Sequence, residues 1–233
     1  MRVGAATDVG QVRSQNEDRY WYSDRVFVVC DGMGGHQAGE VASGLAVETI
    51  RGFAFPLEDP AAEVAAAIET AHTRICEAAA AKPEYSGMGT TLTMGLAHGG
   101  ESGFAVTIGH VGDSRAYLYR DSQLRRLTID HSVAAELARK GTLSGPEAET
   151  HPSRHMLTQA LGVGAVSVLV ETHVVESDDV LLFCSDGLTD VVTDAQIGTV
   201  LEELRSQEAA DELLALANAG GGPDNITVLV VAV

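Results

Sequence analysis

The sequence predicts an α+β domain in which antiparallel sheets are flanked by helices. Strand-length runs follow one another as pairs joined by short turns, and stretches with apolar residues at helical spacing are inserted between the pairs. Paired strands with short turns favour antiparallel sheets, because parallel strands need long crossovers. The 233 residues contain neither an internal repeat nor a linker, so we expect a single domain over residues 1–233.

Strands are expected where apolar residues are continuous or alternate over a short run. The expected strands are residues 3–8, 19–24, 26–30, 90–97, 104–111, 116–119, 124–127, 166–175, 180–184 and 226–233. Short polar turns at residues 121–123 and 176–179 predict hairpins between the strands that flank them. Residues 19–24 are expected to pair with the apolar run at 26–30.

Helices are expected where apolar residues recur at helical spacing behind a capping residue. The expected helices are residues 39–50, 60–82, 133–140, a segment that begins at 194, and 207–218. Asp59 is the predicted cap of the long second helix. Thr193 and Gln196 form a predicted capping box, and Ser206 is expected to cap the last helix.

Residues 130–162 interrupt the sheet pattern. Ser132 is expected to cap the short helix at 133–140, which Gly141 ends, and the remainder has no regular period. An insertion of this kind between strands usually covers a site or contacts a partner. We therefore expect a flap at about residues 130–162.

The charge and the cysteines restrict the function and the compartment. Fifteen Lys+Arg against 33 Asp+Glu give a net charge of −18, so nucleic acid and anionic membrane surfaces are not expected partners. Cys30, Cys76 and Cys184 are an odd number, in strand-like or helical stretches, and predict reduced, buried thiols in a cytoplasmic protein. The chain shows no signal peptide and no apolar run of about 18 residues, so no membrane segment is expected.

The predicted site is organised around residues 26–36. Five apolar residues end on Asp31, a run of glycines follows, and a helix begins near Gly39. A hairpin turn would return as an alternating strand, which does not follow here. A dinucleotide-binding motif is excluded because Gln37 replaces its last glycine, and a P-loop is excluded because Glu40 stands where a lysine must meet phosphate.

An aspartate lies next to a predicted strand in four places: Asp31, Asp113 and Asp186 follow a strand, and Asp224 precedes the last one. Each alone is typical of a turn. Carboxylates that converge on one spot, however, repel each other unless cations lie between them. Oxygen ligands alone suit Mg²⁺ or Mn²⁺ rather than Zn²⁺. The histidine pair at 151 and 155 has ligand-like spacing, but it lies in a proline-containing loop and is interpreted as incidental.

These aspartates belong to a longer series of motifs. In chain order the motifs are Arg13…Glu17-Asp18, Asp31-Gly32-Met33-Gly34-Gly35, Gly89-Thr90-Thr91, Gly112-Asp113-Ser114-Arg115, Ser185-Asp186-Gly187 and Asp224-Asn225. The series resembles the metal-dependent PP2C (PPM) protein serine/threonine phosphatases over nearly the whole chain, and it is most similar to their compact bacterial members. The motifs are specific as a set, although each is weak alone. The resemblance implies a four-layer α-β-β-α sandwich of two antiparallel sheets, with a binuclear Mn²⁺ or Mg²⁺ centre at one end.

The resemblance also implies which residues hold the metal ions. Asp31 would bridge the two ions, and the carbonyl of Gly32 would ligate the first. Asp186 and Asp224 would hold the second ion. Asp113 would help hold a third, weaker ion beneath the flap.

Four further residues would surround these ligands. The resemblance implies that Glu17 and Asp18 orient metal-bound waters, that Asn225 supports the ligands from behind, and that Arg13 binds the substrate phosphate. The alternative for Arg13 is a surface salt bridge with Glu17 or Asp18.

The implied function is metal-dependent hydrolysis of phosphoserine and phosphothreonine in proteins. Asp31, Asp186 and Asp224 bring three negative charges against the four positive charges of two divalent ions, so a phosphate can approach a chain of net charge −18. A hydroxide shared by the two ions would attack phosphorus in line, while Arg13 shares charge with the phosphate oxygens. Arg13, Asp31 and Asp186 are thus the expected catalytic residues. The expected substrates are phosphoproteins that a Ser/Thr kinase supplies, and the enzyme is expected to be a monomer.

Two other functions on the same fold stay open. A phosphoprotein-binding pseudo-phosphatase would have no need for a complete set of metal-binding acids. A phosphatase of small phosphorylated metabolites would use the same site. The expected open flap and the lack of a second substrate domain favour protein substrates only mildly.

Met33 departs from the pattern of many relatives, which place a histidine directly after the first Asp-Gly. Methionine has no proton to give to the departing alkoxide. The remaining donors are a water on the outlying ion near Asp113, or a flap histidine such as His131 or His155. We expect the general-acid assistance to be weak.

Overall fold

The computed structural model describes residues 1–34, 38–100 and 103–233; residues 35–37 of the predicted glycine loop and residues 101–102 of a predicted turn lie outside the described residues. The described strands are β1 Arg2–Asp8, β2 Arg19–Tyr22, β3 Val26–Cys30, β4 Gly32–Met33, β5 Gly89–Thr90, β6 Leu92–Gly100, β7 Gly103–Val111, β8 Arg115–Arg120, β9 Gln123–Arg126, β10 Leu169–Val175, β11 Val180–Cys184 and β12 Ile226–Ala232. The described α-helices are α1 Ala38–Gly52, α2 Pro60–Ala81, α3 Val133–Arg139, α4 Gly145–Thr150, α5 Asp186–Thr189, α6 Asp194–Glu203 and α7 Gln207–Ala219.

Within the described residues the strands form two five-stranded antiparallel sheets and one short ribbon. The first sheet has the order β1-β12-β11-β8-β9, the second has the order β10-β7-β6-β3-β2, and the ribbon pairs β4 with β5. Every residue of β3, β11 and β12 is buried. Continuous apolar runs of this kind suit strands that are covered on both faces and paired on both sides.

Three groups of buried side chains define the layers. Between the sheets, Phe27 of β3 lies 6.0 Å from Phe183 of β11, centroid to centroid, and Leu229 of β12 belongs to the same group. The outer face of the first sheet packs against α5, α6 and α7, and that of the second packs against α1 and α2. The four-layer α-β-β-α sandwich is therefore confirmed. None of the described helices has both the length and the apolar character needed to cross a bilayer.

Several helix starts occur where the sequence predicts them. The side chain of Asp59 caps α2 by accepting a hydrogen bond from the backbone N–H of Ala62 at 3.1 Å. Thr193 and Gln196 form the capping box of α6, and Ser132 caps α3. Each cap satisfies backbone N–H groups that lack a partner inside the helix.

The predicted hairpin about residues 176–179 is wrong. β10 pairs with β7 in the second sheet, whereas β11 lies between β8 and β12 in the first, so this connection crosses from one sheet to the other. β11 is fully buried and needs a partner on each side, while β10 forms an edge on which Val174 is 51% exposed. Asp179 fixes the crossing: its carboxylate accepts hydrogen bonds from the N–H of Glu176 at 2.7 Å and from Nε of Arg120 at 2.8 Å.

Three smaller predictions also need correction. The strand expected over residues 90–97 is divided at Thr91, because β5 turns away to pair with β4. The hydroxyl of Ser206 donates to the carbonyl of Arg2 at 3.3 Å and does not cap α7. All three cysteines are free, but Cys76 is only half-buried.

The flap has more regular structure than its sequence suggested. Ser144 and Glu147 form a capping box that begins α4, a helix that the sequence pattern did not predict. At one end the flap is tied to the sheets by a backbone hydrogen bond of 2.7 Å from His131 to Gly112, and at the other end by a bridge to β5. Two short helices therefore lie between two fixed ends, beside the strand ends described next.

Candidate functional site

Strand ends from both sheets meet at one end of the sandwich. Asp31 follows β3, Asp113 follows β7, Asp186 follows β11, and Asp224 precedes β12. These four carboxylates line one cavity of about 630 Å³, together with the side chain of Arg13. The fold thus brings together acidic groups that are far apart in the sequence.

The other residues singled out in the sequence lie in or next to the same cavity. Glu17, Gly32, Met33 and Asn225 line it. Asp18 is 2% exposed and is held by the strand end that carries Asp186, as described below.

Asp31 is held in place by two threonines of the β5–β6 junction. Its N–H donates to the hydroxyl of Thr91 at 2.9 Å, and its carbonyl accepts from the N–H of Thr91 at 2.9 Å and from the hydroxyl of Thr90 at 2.8 Å. These bonds explain the break between β5 and β6. The Gly-Thr-Thr motif was part of the family resemblance, but its contact with Asp31 had no signal in the sequence.

Gly32 allows three segments to approach each other closely. A Cβ atom at this position would lie 2.3 Å from the carbonyl oxygen of Gly39 and 2.6 Å from that of Glu17. No side chain fits there, because both neighbours are backbone atoms that cannot rotate away. The glycine therefore lets the start of α1 and the segment before β2 pack against the end of β3.

Asn225 anchors the segment that carries Arg13. Its side-chain oxygen accepts from the N–H of Glu17 at 2.8 Å, and its Nδ2 donates to the carbonyls of Val9 and Gln15 at 3.0 and 2.8 Å. One amide thus fixes both ends of the loop against the beginning of β12.

Arg13 forms an ion pair, but not with the partners considered from the sequence. Its Nη2 lies 2.6 Å from Oδ2 of Asp224, and the arginine side chain is 54% exposed. Asp224 also accepts from the N–H of Asn225 at 2.8 Å through Oδ1. The guanidinium consequently sits at the rim of the cavity with donors available to solvent and to a bound anion.

Asp18 connects the site to the second strand end. Its Oδ2 accepts a hydrogen bond from the hydroxyl of Ser185 at 2.7 Å, and that hydroxyl oxygen in turn accepts from the N–H of Thr227 at 2.9 Å. Burial, with the nearby charges of Asp186 and Asp224, raises the pKa of Asp18 to about 7. Ser185 thus has a structural role that its place in the sequence motif did not reveal.

The flap contributes one histidine to the cavity. His155 Nδ1 lies 3.6 Å from Oδ2 of Asp186, and its Nε2 lies 3.6 Å from Oδ2 of Asp190. Ligand atoms of these three side chains all lie within 4.8 Å of one another. The sequence, in which the histidine pair is interpreted as incidental, gave no sign that His155 lies beside these two carboxylates. Asp190 was also missed, although it stands four positions after Asp186, which is one helical turn.

His131, the other flap histidine considered as a proton donor, supports the backbone instead of lining the cavity. His131 Nδ1 accepts a hydrogen bond from the N–H of Gly112 at 3.1 Å, and its ring lies 4.9 Å from that of His110, centroid to centroid. Burial lowers the pKa of His131, whereas the carboxylate of Asp186 raises the pKa of His155. Of the two candidate proton donors, only His155 lines the cavity with Asp31.

The electrostatics of the cavity fit bound divalent cations. Burial and neighbouring carboxylates raise the pKa values of Asp31 and Asp113 well above the usual range of aspartate. Oδ1 of Asp18 and Oδ1 of Asp186 are buried and have no hydrogen-bond partner among the described residues. Unpaired acceptors and mutual repulsion cost free energy that cations would offset, and an all-oxygen donor set suits Mg²⁺ or Mn²⁺.

Comparison with known proteins gives relatives over the full length of the chain. The family model for protein phosphatase 2C matches residues 11–218. The serine/threonine protein phosphatase PstP of Mycobacterium tuberculosis is 38% identical over 235 residues, which cover 100% of this chain and 45% of the relative. The chain thus spans about half the length of that relative. The serine/threonine phosphatase stp of Listeria welshimeri is also 38% identical, over 99% of this chain and 95% of the relative.

Solved structures agree with these sequence relatives. A crystal structure of the M. tuberculosis phosphatase PstP superposes with a TM-score of 0.92 at 38% identity, over 98% of this chain and 97% of that one. A second crystal structure, of the PstP catalytic domain in complex with two manganese ions, has a TM-score of 0.89 at 36% identity, over 98% and 96% of the two chains. The motif series, the four-layer fold and the family match agree, and this chain belongs to the protein phosphatase 2C family.

Proposed function

We propose that this chain removes phosphate from phosphoserine and phosphothreonine in proteins, with two Mn²⁺ or Mg²⁺ ions as cofactors. The observation that carries the proposal is the cavity in which Asp31, Asp186 and Asp224 face Arg13. Relatives that align with the whole chain are named serine/threonine protein phosphatases, and PstP binds two manganese ions in a crystal structure.

The metal ligands follow from this assignment. The first ion would be held by Asp31 and the carbonyl of Gly32. The second would be held by Asp31, Asp186 and Asp224, and Asp113 would help hold a third, weaker ion. When bound, such ions neutralise the carboxylates and the phosphate and lower the pKa of water, so that attack on phosphorus can proceed near neutral pH.

Arg13 would bind the phosphate and orient it. Its guanidinium is at the cavity rim, and its ion pair with Asp224 at 2.6 Å limits the directions in which it can point. A guanidinium can donate two parallel hydrogen bonds to phosphate oxygens, and these strengthen as charge develops in the transition state. Asn225 would contribute indirectly, because it fixes the loop that carries Arg13.

Glu17 and Asp18 would accept hydrogen bonds from water near the reacting phosphorus. Glu17 lines the cavity, and its backbone is fixed by the bond from its N–H to Asn225 at 2.8 Å. Asp18 is held by Ser185 and retains one oxygen without a partner among the described residues. Carboxylates held in this way can position a water molecule without a large loss of side-chain freedom during the reaction.

The chain would act as one catalytic domain over residues 1–233, with the flap at about residues 130–162 beside its site. The site residues come from positions 13 to 225, so no segment shorter than residues 13–225 contains them all. The expected partners are phosphorylated proteins that a Ser/Thr kinase supplies, and we propose that the enzyme is a monomer. Three free thiols are compatible with a reducing compartment such as the cytoplasm.

The test is hydrolysis of three substrate types with and without Mn²⁺: an aryl phosphate, phosphothreonine peptides, and small phosphorylated metabolites. We expect Mn²⁺-dependent turnover of the aryl phosphate and a higher kcat/KM for the peptides than for the metabolites. Peptide binding without any turnover would favour a pseudo-phosphatase. A higher kcat/KM for a metabolite would favour a small-molecule phosphatase.

A further inference from the structure

A second cavity, of about 460 Å³, lies between the flap and the strand ends. We call it the flap cavity. It shares four lining residues with the cavity of the metal site, namely Asp113, His155, Asp186 and Asp190. A substrate with its phosphate at the metal site can therefore place a neighbouring side chain in the flap cavity.

One wall of the flap cavity contains two guanidiniums that share one carboxylate. Arg115 donates to Asp130 from Nε to Oδ1 at 3.3 Å and from Nη2 to Oδ2 at 2.9 Å, and Arg126 donates from Nη2 to the same Oδ1. The side chains of Arg115, Arg126 and Asp130 are only 18%, 25% and 12% exposed. Two positive charges and one negative charge leave one positive charge without compensation in a partly buried place.

Asp130 remains ionised in this arrangement. Burial disfavours its charge, but the guanidiniums of Arg115 and Arg126 hold the pKa of Asp130 below the usual value. Among the described residues, the hydrogen bond of the Arg126 guanidinium is the one from Nη2 to Asp130, so its terminal nitrogens retain hydrogens for a ligand, whereas its Nε is buried without a partner. The wall therefore has an excess of donors and of positive charge, which an anion would complement.

The other lining groups are consistent with an anion on an aliphatic stem. Ala135, Ala138 and Ala148 from α3 and α4, with Ile129, provide apolar walls. Arg139, which is exposed at the end of α3, adds a further positive charge at the rim.

The acidic lining groups are largely matched. Arg154 lies 3.6 Å from Asp190, and Glu149 is exposed to solvent on α4. The charges of Asp113 and Asp186 would be neutralised by the metal ions of the proposed site. Among the less exposed lining groups, the charge that stays unmatched is the positive one of the Arg115–Asp130–Arg126 group, while the exposed charges of Arg139 and Glu149 at the rim are opposite in sign.

We propose that the flap cavity binds a second anionic group of the substrate, a phosphate or a carboxylate on a residue near the one that is dephosphorylated. This inference rests on the proposed function, because it assumes a phosphorylated polypeptide at the metal site. It adds a substrate preference: phosphoproteins with a second phosphorylated or acidic residue close by.

The experiment compares peptides that carry one phosphothreonine and, within about four residues on either side, a phosphoserine, a glutamate or a neutral serine. We expect kcat/KM to be about 10-fold higher for the best phosphoserine or glutamate peptide than for its serine counterpart, which is the value of one charge-assisted hydrogen bond. The phosphoserine and glutamate arms distinguish phosphate from carboxylate.

Arg126→Gln should reduce this ratio to within about 2-fold of one, and Arg139→Gln should reduce it by a smaller factor, since Arg139 is exposed. Arg139→Gln also keeps the test decisive if Arg126→Gln does not fold. The matched control is Arg125→Gln, which removes the same charge from the opposite, exposed face of β9 and should leave the ratio unchanged.

Binding provides a readout that does not depend on turnover. The same peptides, with a non-hydrolysable phosphonate in place of the reacting phosphate, are measured by fluorescence anisotropy with Mn²⁺, and the Kd ratio should follow the same pattern. A ratio within about 2-fold of one at every position, or a ratio that Arg126→Gln and Arg139→Gln leave unchanged, would overturn the inference. If no substrate is hydrolysed at all, the proposed function fails, and the Kd ratios still decide the role of the flap cavity.

Discussion

At the floor of the cavity that carries the proposed metal site, side chains are held by partners far away in the sequence, whereas in the flap most contacts are local. We define the floor as the lining residues Asp31, Asp186 and Asn225 together with Asp18 and Ser185, which are buried behind them. Ser185 bonds Asp18 over a separation of 167 residues, and Asn225 bonds the backbone of residue 17 over 208. In the flap, the caps of α3 and α4 join residues only three positions apart.

Because the two regions are held differently, we expect substitutions in them to have different effects. Floor residues are buried or half-buried and are fixed by several elements at once, so small changes there should affect the reaction itself. The flap has two short helices with exposed surfaces, so changes there should affect which substrates bind. Asp113 and His155 line both cavities and mark the boundary between the two regions.

The largest expected effect is on turnover, from Asp186→Ala in the floor. Removing this proposed metal ligand should lower Mn²⁺-dependent kcat by about 10³-fold or more, because charge stabilisation at the phosphate is lost. Glu136→Ala in the flap removes a half-buried acid that does not line the metal cavity and whose ion pair with Lys140 is long, at 3.5 Å, and it should change kcat by less than about 2-fold.

The measurement is kcat on an aryl phosphate at saturating Mn²⁺, with circular dichroism to check the fold. Asp186→Ala should fold normally, since loss of one carboxylate relieves repulsion in the metal-free protein. Turnover near the wild-type value for this variant would remove Asp186 from the metal site.

The next effect is on stability, from adding one methyl group to Gly187, which follows Asp186 of the floor, and to Gly145, at the start of α4 in the flap. In Gly187→Ala the new Cβ would lie 2.0 Å from the carbonyl oxygen of Asn225, so backbone must move, at a cost of about 3 kcal/mol. In Gly145→Ala, in the flap, the new Cβ meets nothing within 4 Å, and the change should stay within about 0.5 kcal/mol. Urea unfolding of the metal-free proteins measures the change in the free energy of unfolding for both variants. Equal losses of stability would contradict the division into a rigid floor and a tolerant flap.

A third prediction uses the charge on Asp18. Its pKa is raised to about 7 in the folded state from an ordinary value of 3.8, so the folded protein binds more protons than the unfolded one between these values. The stability that this proton contributes is fully present below about pH 4 and is lost as the pH rises through about 7. Metal-free wild-type protein should therefore lose this contribution towards alkaline pH.

Asp18→Asn isolates the effect, because asparagine can still accept the hydrogen bond from Ser185 but carries no charge. In EDTA, the variant should match the wild type near pH 4 and exceed it by on the order of a few kcal/mol at pH 8. Urea unfolding across this range is the measurement. A stability difference that does not vary with pH would mean that Asp18 does not titrate in the folded protein.

Much of the fold follows from local pattern. Continuous apolar runs identified β3, β11 and β12, and capping residues such as Asp59 and Thr193 identified helix starts, because burial and capping depend on residues near in sequence. Strand partners could not be predicted so well. Alternation shows which side chains are buried but not against what, so β10 and β11 were expected to form a hairpin although they lie in different sheets.

The site was predictable to a similar degree. Strand-end aspartates and the motif series indicated which residues to examine, and the fold brings them to one cavity. The contacts of Thr91 and Ser185 could not be foreseen, because they depend on how the two sheets are placed. The same is true of His155, which reaches Asp186 only through the path of the flap.

The smallest expected effect is on how strongly the rate depends on leaving-group basicity. It shows whether the proton that the leaving group needs comes from the floor side of the cavity or from the flap. Beside the floor residue Asp31, Met33 lines the cavity but cannot donate a proton. In the flap, His155 lines the same cavity and its pKa is raised by the carboxylate of Asp186. If the flap serves only substrate selection, general-acid assistance is weak, and rates should fall steeply as the leaving group becomes more basic.

The measurement is kcat for a series of aryl phosphates of increasing leaving-group basicity at saturating Mn²⁺, for wild type, Met33→His and His155→Gln. We expect a steep slope in the wild type, a shallower one in Met33→His because an imidazole next to Gly32 can protonate the departing oxygen, and no change of slope in His155→Gln. A shallow wild-type slope that steepens in His155→Gln would assign the acid to the flap. The flap would then take part in the chemistry as well as in substrate choice, and the separation of the two regions would fail at His155.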